Sequence, residues 1–418
     1  MDQSPNPPLP PVRARPGPKP RPPIRGEDLF GHKYVRSLQA HLARLRAAHP
    51  HPNRTLFYDD VAVAYLLAFF TPTLRSLRTI EDFSQTDQMR ENLSVDRVPR
   101  STLSDANKVF DPTLLEPIIE ELRARLPQLR QADPELEELT DRIRAVDGSL
   151  FTVTADVAWA LRQRRANGKP KHILRLNLQW ATAIGVPEGI CITGAGISES
   201  QVLMANLEPG LIYIMDRGYV CFELLDRILH ARGDFVLRLK SNNLFVADKE
   251  RTLSKADHDA GILSDRIGHL SGTAWGLPPP KGLLREVRLI DPDHPDREIR
   301  LVTSILDVPA HIIGAIYRRR WQIELFFRWL KVHAHFEHLT SHSKNGVTTS
   351  FYIAVIAVLL IYLHTQRPVN KYAYAMLSLV AGGRATMEEI TPILERRNRE
   401  CELDRLRRAR KRAEKTSK

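Results

Sequence analysis

The hydropathy period of this chain changes at Arg142, and that change decides what the chain can fold into. Upstream, apolar residues recur every three or four positions. Val35, Leu38, Leu42 and Leu45 lie within His32 to Arg46, the pattern of a helix with one buried face. Tyr58 to Phe70 reads as a second, more apolar helix, and Leu114 to Leu126 as a third. Downstream, Leu174, Leu176, Leu178 and Trp180 alternate with Arg175, Asn177 and Gln179, the period of two that a half-buried strand requires. A helical pattern does not settle into a sheet, so an all-α block is predicted to precede a sheet-containing core.

The core reads as α/β. Ile143 to Val153 is predicted as strand-turn-strand around Asp147-Gly148, and Gly189 to Thr193 gives a further strand. A polar helix starts at Ser198, and the apolar run Leu211 to Met215 ends at Asp216. A helix over Cys221 to Ala231 and a strand over Phe235 to Lys240 follow. Three neighbouring strands, then helix, strand, helix and strand, is the order of a ribonuclease H-like mixed sheet. Residues 241–307, with turns at Gly276 and Pro278 to Pro280, read as a β-rich insertion. One long helix is expected from Pro309 past Lys331. The predicted organisation is a disordered Pro/Arg-rich tail (1–27), a helical, DNA-binding block (28–140), the first part of the core (141–240), the insertion (241–307), the second part of the core (308–365), and a helical C-terminal region with a basic tail (366–418).

Composition narrows the partners. The 418 residues carry 61 Lys+Arg against 49 Asp+Glu, a net charge of +12, which favours a polyanion. Charge alone does not separate DNA from RNA or acidic lipid. Cys191, Cys221 and Cys401 have no zinc-ligand spacing and suit a reducing compartment. The longest apolar run, Phe351 to Leu363, falls short of the roughly 18 residues of a membrane span and is expected to be a buried core helix. No apolar leader stands at the N-terminus, so a cytoplasmic, nucleoid-associated protein is expected, with no membrane partner. Neither a Walker loop nor a Gly-x-Gly-x-x-Gly is present, so no nucleotide cofactor is expected.

Three carboxylates stand where phosphoryl-transfer chemistry needs them. Asp147 meets Gly148 in the first strand, and Asp216 ends the most apolar one, where ligands bind in open α/β sheets. On the predicted long helix, Tyr317, Arg320, Glu324 and Lys331 are spaced by three, four and seven residues and share a sector of roughly 60°. Ile323, Phe327 and Leu330 form an adjacent apolar stripe, and Trp321 is expected to pack. Hard divalent cations take carboxylate oxygens, and an Arg and a Lys beside a carboxylate suit a phosphate between them. The plainer reading is an intrahelical salt bridge, since Arg320 and Glu324 are four apart.

The run Tyr317-x2-Arg320-x3-Glu324-x6-Lys331 resembles the Tyr-Arg-Glu-Lys motif of DDE insertion-sequence transposases of the IS-four type. Val146-Asp147-Gly148-Ser149 and Asp216-Arg217-Gly218-Tyr219 resemble the two aspartate motifs of that family. The resemblance implies a ribonuclease H-like core in which Asp147, Asp216 and Glu324 hold two Mg²⁺, with Mn²⁺ as a substitute. It implies cut-and-paste transposition: cleavage at terminal inverted repeats, then strand transfer into target DNA by a homodimer on double-stranded DNA. Arg320 and Lys331 would grip phosphates, Tyr317 would hydrogen-bond one, Trp275 would stack on an extruded base and Lys240 would reach phosphate. A non-transposing nuclease and a domesticated DNA-binding protein on the same fold are the competing readings.

Overall fold

The computed structural model describes residues 32–50, 56–71, 74, 76–87, 90, 97–126, 136, 138–153, 161–164, 170–194, 196–273, 276–291, 294–332, 341, 343–365, 370–381 and 384–416. The predicted Pro/Arg-rich tail and Trp275 lie outside them.

Before Arg142 the described segments are helical: α1 (His32–Ala47), α2 (Tyr58–Phe70), α3 (Leu77–Ser84), α4 (Arg100–Val109) and α5 (Glu116–Ala124). After it come β1 (Ile143–Val153), β2 (Leu161–Arg164), β3 (Pro170–Ala181) and β4 (Val186–Gly194). Helix α6 (Glu199–Met204), β5 (Ile212–Met215), α7 (Phe222–His230) and β6 (Asp234–Arg238) complete the order expected from the sequence. The strands lie as β4-β3-β1-β5-β6. β1, β3 and β4 pair antiparallel, whereas β1, β5 and β6 pair parallel, which is the ribonuclease H-like arrangement. All four residues of β5 are buried, as a strand covered on both faces must be.

Two expectations change here. The stretch Ile143–Val153 is not strand-turn-strand but one strand, in unbroken register with β3 through Gly148↔Asn177. Glycine inside a strand marks a turn or a close approach, and here it is an approach, described below. The stretch 241–307 is β-rich, as expected, but continues the sheet rather than standing apart from it. It forms β7 (Leu244–Glu250), α8 (Lys255–Asp259), β8 (Ile262–Ser271), β9 (Leu284–Asp291) and β10 (His294–Thr303). β10 pairs antiparallel with β6, so the sheet runs on as β6-β10-β9-β8-β7 and reaches ten strands. The free edge of β6 supplies the physical reason, because unpaired backbone groups there need partners.

The predicted long helix is two helices, α9 (Ala310–Arg318) and α10 (Trp321–Val332). At the joint the amides of Arg319, Arg320, Gln322 and Ile323 bond carbonyls three residues back, at 3.0–3.2 Å, a tighter 3₁₀-type turn. The two helices serve different surfaces. α9 packs on β6, β8 and β9, and α10 packs on β1. A change of direction between them follows.

Helix α11 (Lys344–Thr365) is the hub of the core. It is long and apolar enough to cross a membrane by composition, but 89% of that stretch is buried inside the fold, as expected of a core helix. α2, α4 and α5 pack on it. One apolar cluster joins Tyr58, Leu103 and Leu122 through Phe351 and Leu360 to Ile143, Ile214 and Phe326, so the N-terminal helices share the core of the sheet. Beyond it lie α12 (Lys371–Ala381) and α13 (Met387–Thr416). A reciprocal capping box opens α13: Glu389 N–H donates to Thr386 Oγ1 at 3.2 Å, and Thr386 N–H to Glu389 Oε2 at 2.7 Å.

Candidate active site

Side chains alternate along β1, so Asp147, Ser149 and Phe151 share one face of the sheet and Val146, Gly148 and Leu150 the other. α10 covers the Asp147 face. Trp180, opposite Ala145 on that face, donates its Nε1–H to Gln322 Oε1 at 3.0 Å and meets the Phe326 ring at 4.9 Å between centroids. Ile323, Phe327 and Leu330 are buried there, as the apolar stripe predicted. Trp321 departs from expectation: it is 46% exposed, with Arg328 5.4 Å from its ring. The buried side of α10 is already filled by Ile323, Phe326 and Phe327, and Trp321 falls on the other side.

β1 and β5 pair in parallel up to Ala145↔Ile214. Two residues further along both strands stand Asp147 and Asp216, level with each other where the strands part. Asp216 caps the turn Arg217–Tyr219, its Oδ1 accepting the Gly218 N–H at 2.7 Å. Asp147 Oδ1 accepts the Gly148 N–H at 2.9 Å. Burial pushes the Asp147 carboxyl up to about 7. The negative charges of Asp216 and Glu199 add to the rise, and Arg320 opposes it.

Arg320 sits at the joint between α9 and α10, and its Nη2 holds Glu324 Oε1 at 2.7 Å. The intrahelical salt bridge anticipated as the plainer reading is therefore made. Its guanidinium lies 5.6 Å from the Tyr317 ring, and Tyr317 and Glu324 keep it above its ordinary pKa although burial acts the other way. The Tyr317 hydroxyl and the Arg320 Nε are buried and lack a hydrogen-bond partner of good geometry. Two orphaned donors beside a carboxylate pair suit an anionic oxygen between them. Lys331 stands further along: its Nζ lies 5.2 Å from the ring of Phe151, four residues beyond Asp147 on the same face. Lys240 is exposed in the turn between β6 and β7, away from this cluster in sequence and burial.

Among the described residues, no three His, Cys, Asp or Glu side chains converge closely enough to hold a metal ion as they stand. Glu324 is engaged by Arg320 instead. The donor chemistry nevertheless fits a hard divalent cation, which needs only one or two carboxylates when water and substrate phosphate complete its shell. The raised Asp147 fits too, because a cation would stabilise the charge that burial, with Asp216 and Glu199 adding to it, disfavours.

Three further groups stand near the carboxylates; in the sequence, Tyr219 figures only as the end of the second aspartate motif, and Glu199 and Arg175 are given no role. Glu199, on α6, is half-buried, and burial raises its carboxyl with Asp216 adding to the rise. Tyr219 is buried completely beside Glu199, Asp147 and Asp216, and burial holds its hydroxyl well above the ordinary tyrosine range. Arg175 Nε lies 3.5 Å from Glu199 Oε1. The one signal in the chain was Gly148, a glycine in a strand pattern, which announced a close approach without naming its partner.

The raised Asp147 has a consequence for stability without metal. Its carboxyl binds a proton more tightly folded than unfolded, so its cost to stability is absent below about pH 4 and grows as pH rises toward 7. Asp147→Asn in EDTA is expected to melt with the wild type at pH 4 and above it at pH 8, by up to about 4 kcal/mol. Thermal melts at the two pH values measure this, and equal melting at pH 8 would refute it.

The strand order makes the core ribonuclease H-like, with its paired aspartates at the point where the two parallel strands part. The family described as Transposase DDE domain matches residues 138–360, and the chain belongs to that family. Similar proteins include y4zB of Sinorhizobium fredii, named as a transposase, which is 29% identical over 222 residues covering 52% of this chain and 60% of its own length. A protein of Synechocystis sp. named as the transposase of insertion sequence element IS4SA is 26% identical over 69% of this chain and 79% of its own length. One of Geobacillus stearothermophilus, named as the transposase of insertion sequence element IS5377, is 26% identical over 54% of this chain and 57% of its own length. The matches thus span less than two thirds of the first and third of these relatives. A solved piggyBac transposase synaptic complex with hairpin DNA aligns with 89% of this chain and 78% of its own, at 10% identity and a TM-score of 0.37. That likeness is too loose to bear on the chemistry of either chain.

Proposed function

We propose that this chain is a DNA transposase that cleaves the ends of an insertion sequence and joins them to target DNA. The observation that carries the reading is the level pair Asp147 and Asp216, faced by a helix whose Arg320 and Glu324 stand over Asp147's side of the sheet. Asp147, Asp216 and Glu324 are the residues to hold two Mg²⁺, or Mn²⁺ in their place. When bound, such cations supply Lewis acidity to the scissile phosphate and acidify the attacking water or 3′-hydroxyl.

The chain's own groups divide the remaining work. Arg320 Nε and the Tyr317 hydroxyl offer donors to a phosphate oxygen, which would satisfy both orphans. A phosphate taken by Arg320 competes with Glu324 for the guanidinium and frees that carboxylate to turn toward Asp147. Buried Tyr219 and the apolar floor of β5 keep bulk water from the pair, which strengthens every charge interaction there.

The test is a supercoiled plasmid carrying the DNA that flanks the reading frame, incubated with the full chain and Mg²⁺. Excised linear element and integration products, both lost in EDTA, are the expected result. Cleavage without joining would point to a nuclease, and a mobility shift without cleavage to a DNA-binding protein. Lys331, half-exposed along the strand from the carboxylates, gives a further expectation. Lys331→Ala should weaken binding to all duplexes alike and reduce the slope of log K against log salt by about one. An unchanged slope would remove Lys331 from the phosphate contacts.

A further inference from the structure

Gly148 lies on the face of β1 opposite Asp147. A Cβ there would come within 2.4 Å of Glu199 Oε1, so the Glu199 carboxylate occupies room that only glycine leaves. Its place is fixed from both sides. Ser198 caps α6 reciprocally with Gln201, at 3.1 and 3.2 Å, and Arg175, anchored through Nη1 to the Ile197 carbonyl at 2.6 Å, reaches Glu199 with Nε.

A second observation stands beside it. Asn177 is the cross-strand partner of Gly148 on one side and of Cys191 on the other. Its Nδ2 donates to the Cys191 carbonyl at 3.2 Å and to Thr193 Oγ1 at 3.1 Å, both on β4. The amide is planar, so its Oδ1 is turned the other way, toward β1. Asn177 is 7% exposed, and that Oδ1 is buried without a donor. Asn177 and Glu199 line the same cavity, of about 250 Å³, with Val146 and Tyr219. The Glu199 carboxylate and the unpaired Asn177 amide oxygen make this wall rich in acceptors, with the Tyr219 hydroxyl as a donor beside them. The hydration shell of a divalent cation is its complement, since cation-bound water donates only and Mg²⁺ gives up its waters reluctantly.

We propose that Glu199, with Asn177, is a positioning residue that accepts hydrogen bonds from the waters of a cation held by Asp147 and Asp216, acting through the gap at Gly148. This rests on the transposase reading, which supplies the cation. Such outer-shell acceptors tighten metal binding without touching the metal.

The test is calorimetric titration of Mn²⁺ into the full chain without DNA, alongside thermal melts in EDTA to compare the folds. Glu199→Gln is expected to raise the Kd about tenfold. Gly148→Ala, which forces the carboxylate aside, should shift it in the same direction, and Glu223→Gln, at a half-exposed position of α7 paired with Arg227, should leave it alone. Asp147→Asn should abolish binding. If Asp147→Asn abolishes binding while Glu199→Gln and Gly148→Ala bind as the wild type does, the inference is wrong and the transposase reading survives. If Asp147→Asn also binds normally, both are wrong.

Discussion

Replacing Glu324 by Gln is expected to lower DNA strand cleavage about a thousandfold, the loss that follows when some 4 kcal/mol of charge stabilisation leaves the transition state. The substitution is nearly isosteric. Gln can still bond Arg320, so the melting temperature should move little, and duplex binding should persist because the phosphate donors are untouched. The comparison that decides is cleavage of repeat-bearing plasmid by the wild type and by Glu324→Gln at equal DNA occupancy. Undiminished cleavage would mean that the Arg320–Glu324 pair is a structural salt bridge and nothing more. Arg320→Lys sharpens the distinction. A lysine keeps the charge but not the fork, so loss of cleavage with retained folding would place the guanidinium on phosphate rather than on Glu324 alone.

Arg285→Met should destabilise the protein by about 3–5 kcal/mol, the usual loss when one partner of a buried ion pair is removed. Arg285 is wholly buried on β9. Its Nε and Nη2 hold the two oxygens of buried Asp265 at 2.7 Å each, and Nη1 donates to the Val308 carbonyl at 2.5 Å. One side chain therefore ties β8, β9 and the segment leading into α9, and α9 leads to the helix that carries Glu324. Among the described residues Asp265 would keep Arg251 as its ion-pair partner, whose Nε is 3.5 Å away. Urea unfolding measures the loss, and a change below about 1 kcal/mol would show that the tie is dispensable. The double substitution Arg285→Met with Asp265→Leu should recover much of the loss, because an apolar pair of similar volume leaves no charge unpaired.

Much of the architecture was legible before the structure. Alternation along His172 to Trp180 marked β3, and the run ending at Asp216 marked β5, because burial on one face or two imprints a local period on the chain. The apolar helix at 351–363 was legible for the same reason. The continuation of the sheet through β10 was not, since strand pairing joins residues far apart and leaves no local trace. The break between α9 and α10 also escaped, because Tyr317 to Lys331 has an uninterrupted helical pattern and only the two surfaces it must cover force the turn. At the site, the spacing of Tyr317, Arg320, Glu324 and Lys331 anticipated a shared helix face. Arg320 joins Tyr317 and Glu324, and Lys331 stands further along, over Phe151.

Periodicity, being a property of neighbours along the chain, settled the helical block, the α/β core and the strand that ends at Asp216, but read a turn into the strand that carries Asp147. Which side chains meet across the sheet was left to folding. Glu199 packs against Gly148 from a helix on the opposite face, at the one position in β1 without a side chain. Such a contact depends on register and layer packing, which no window of sequence contains.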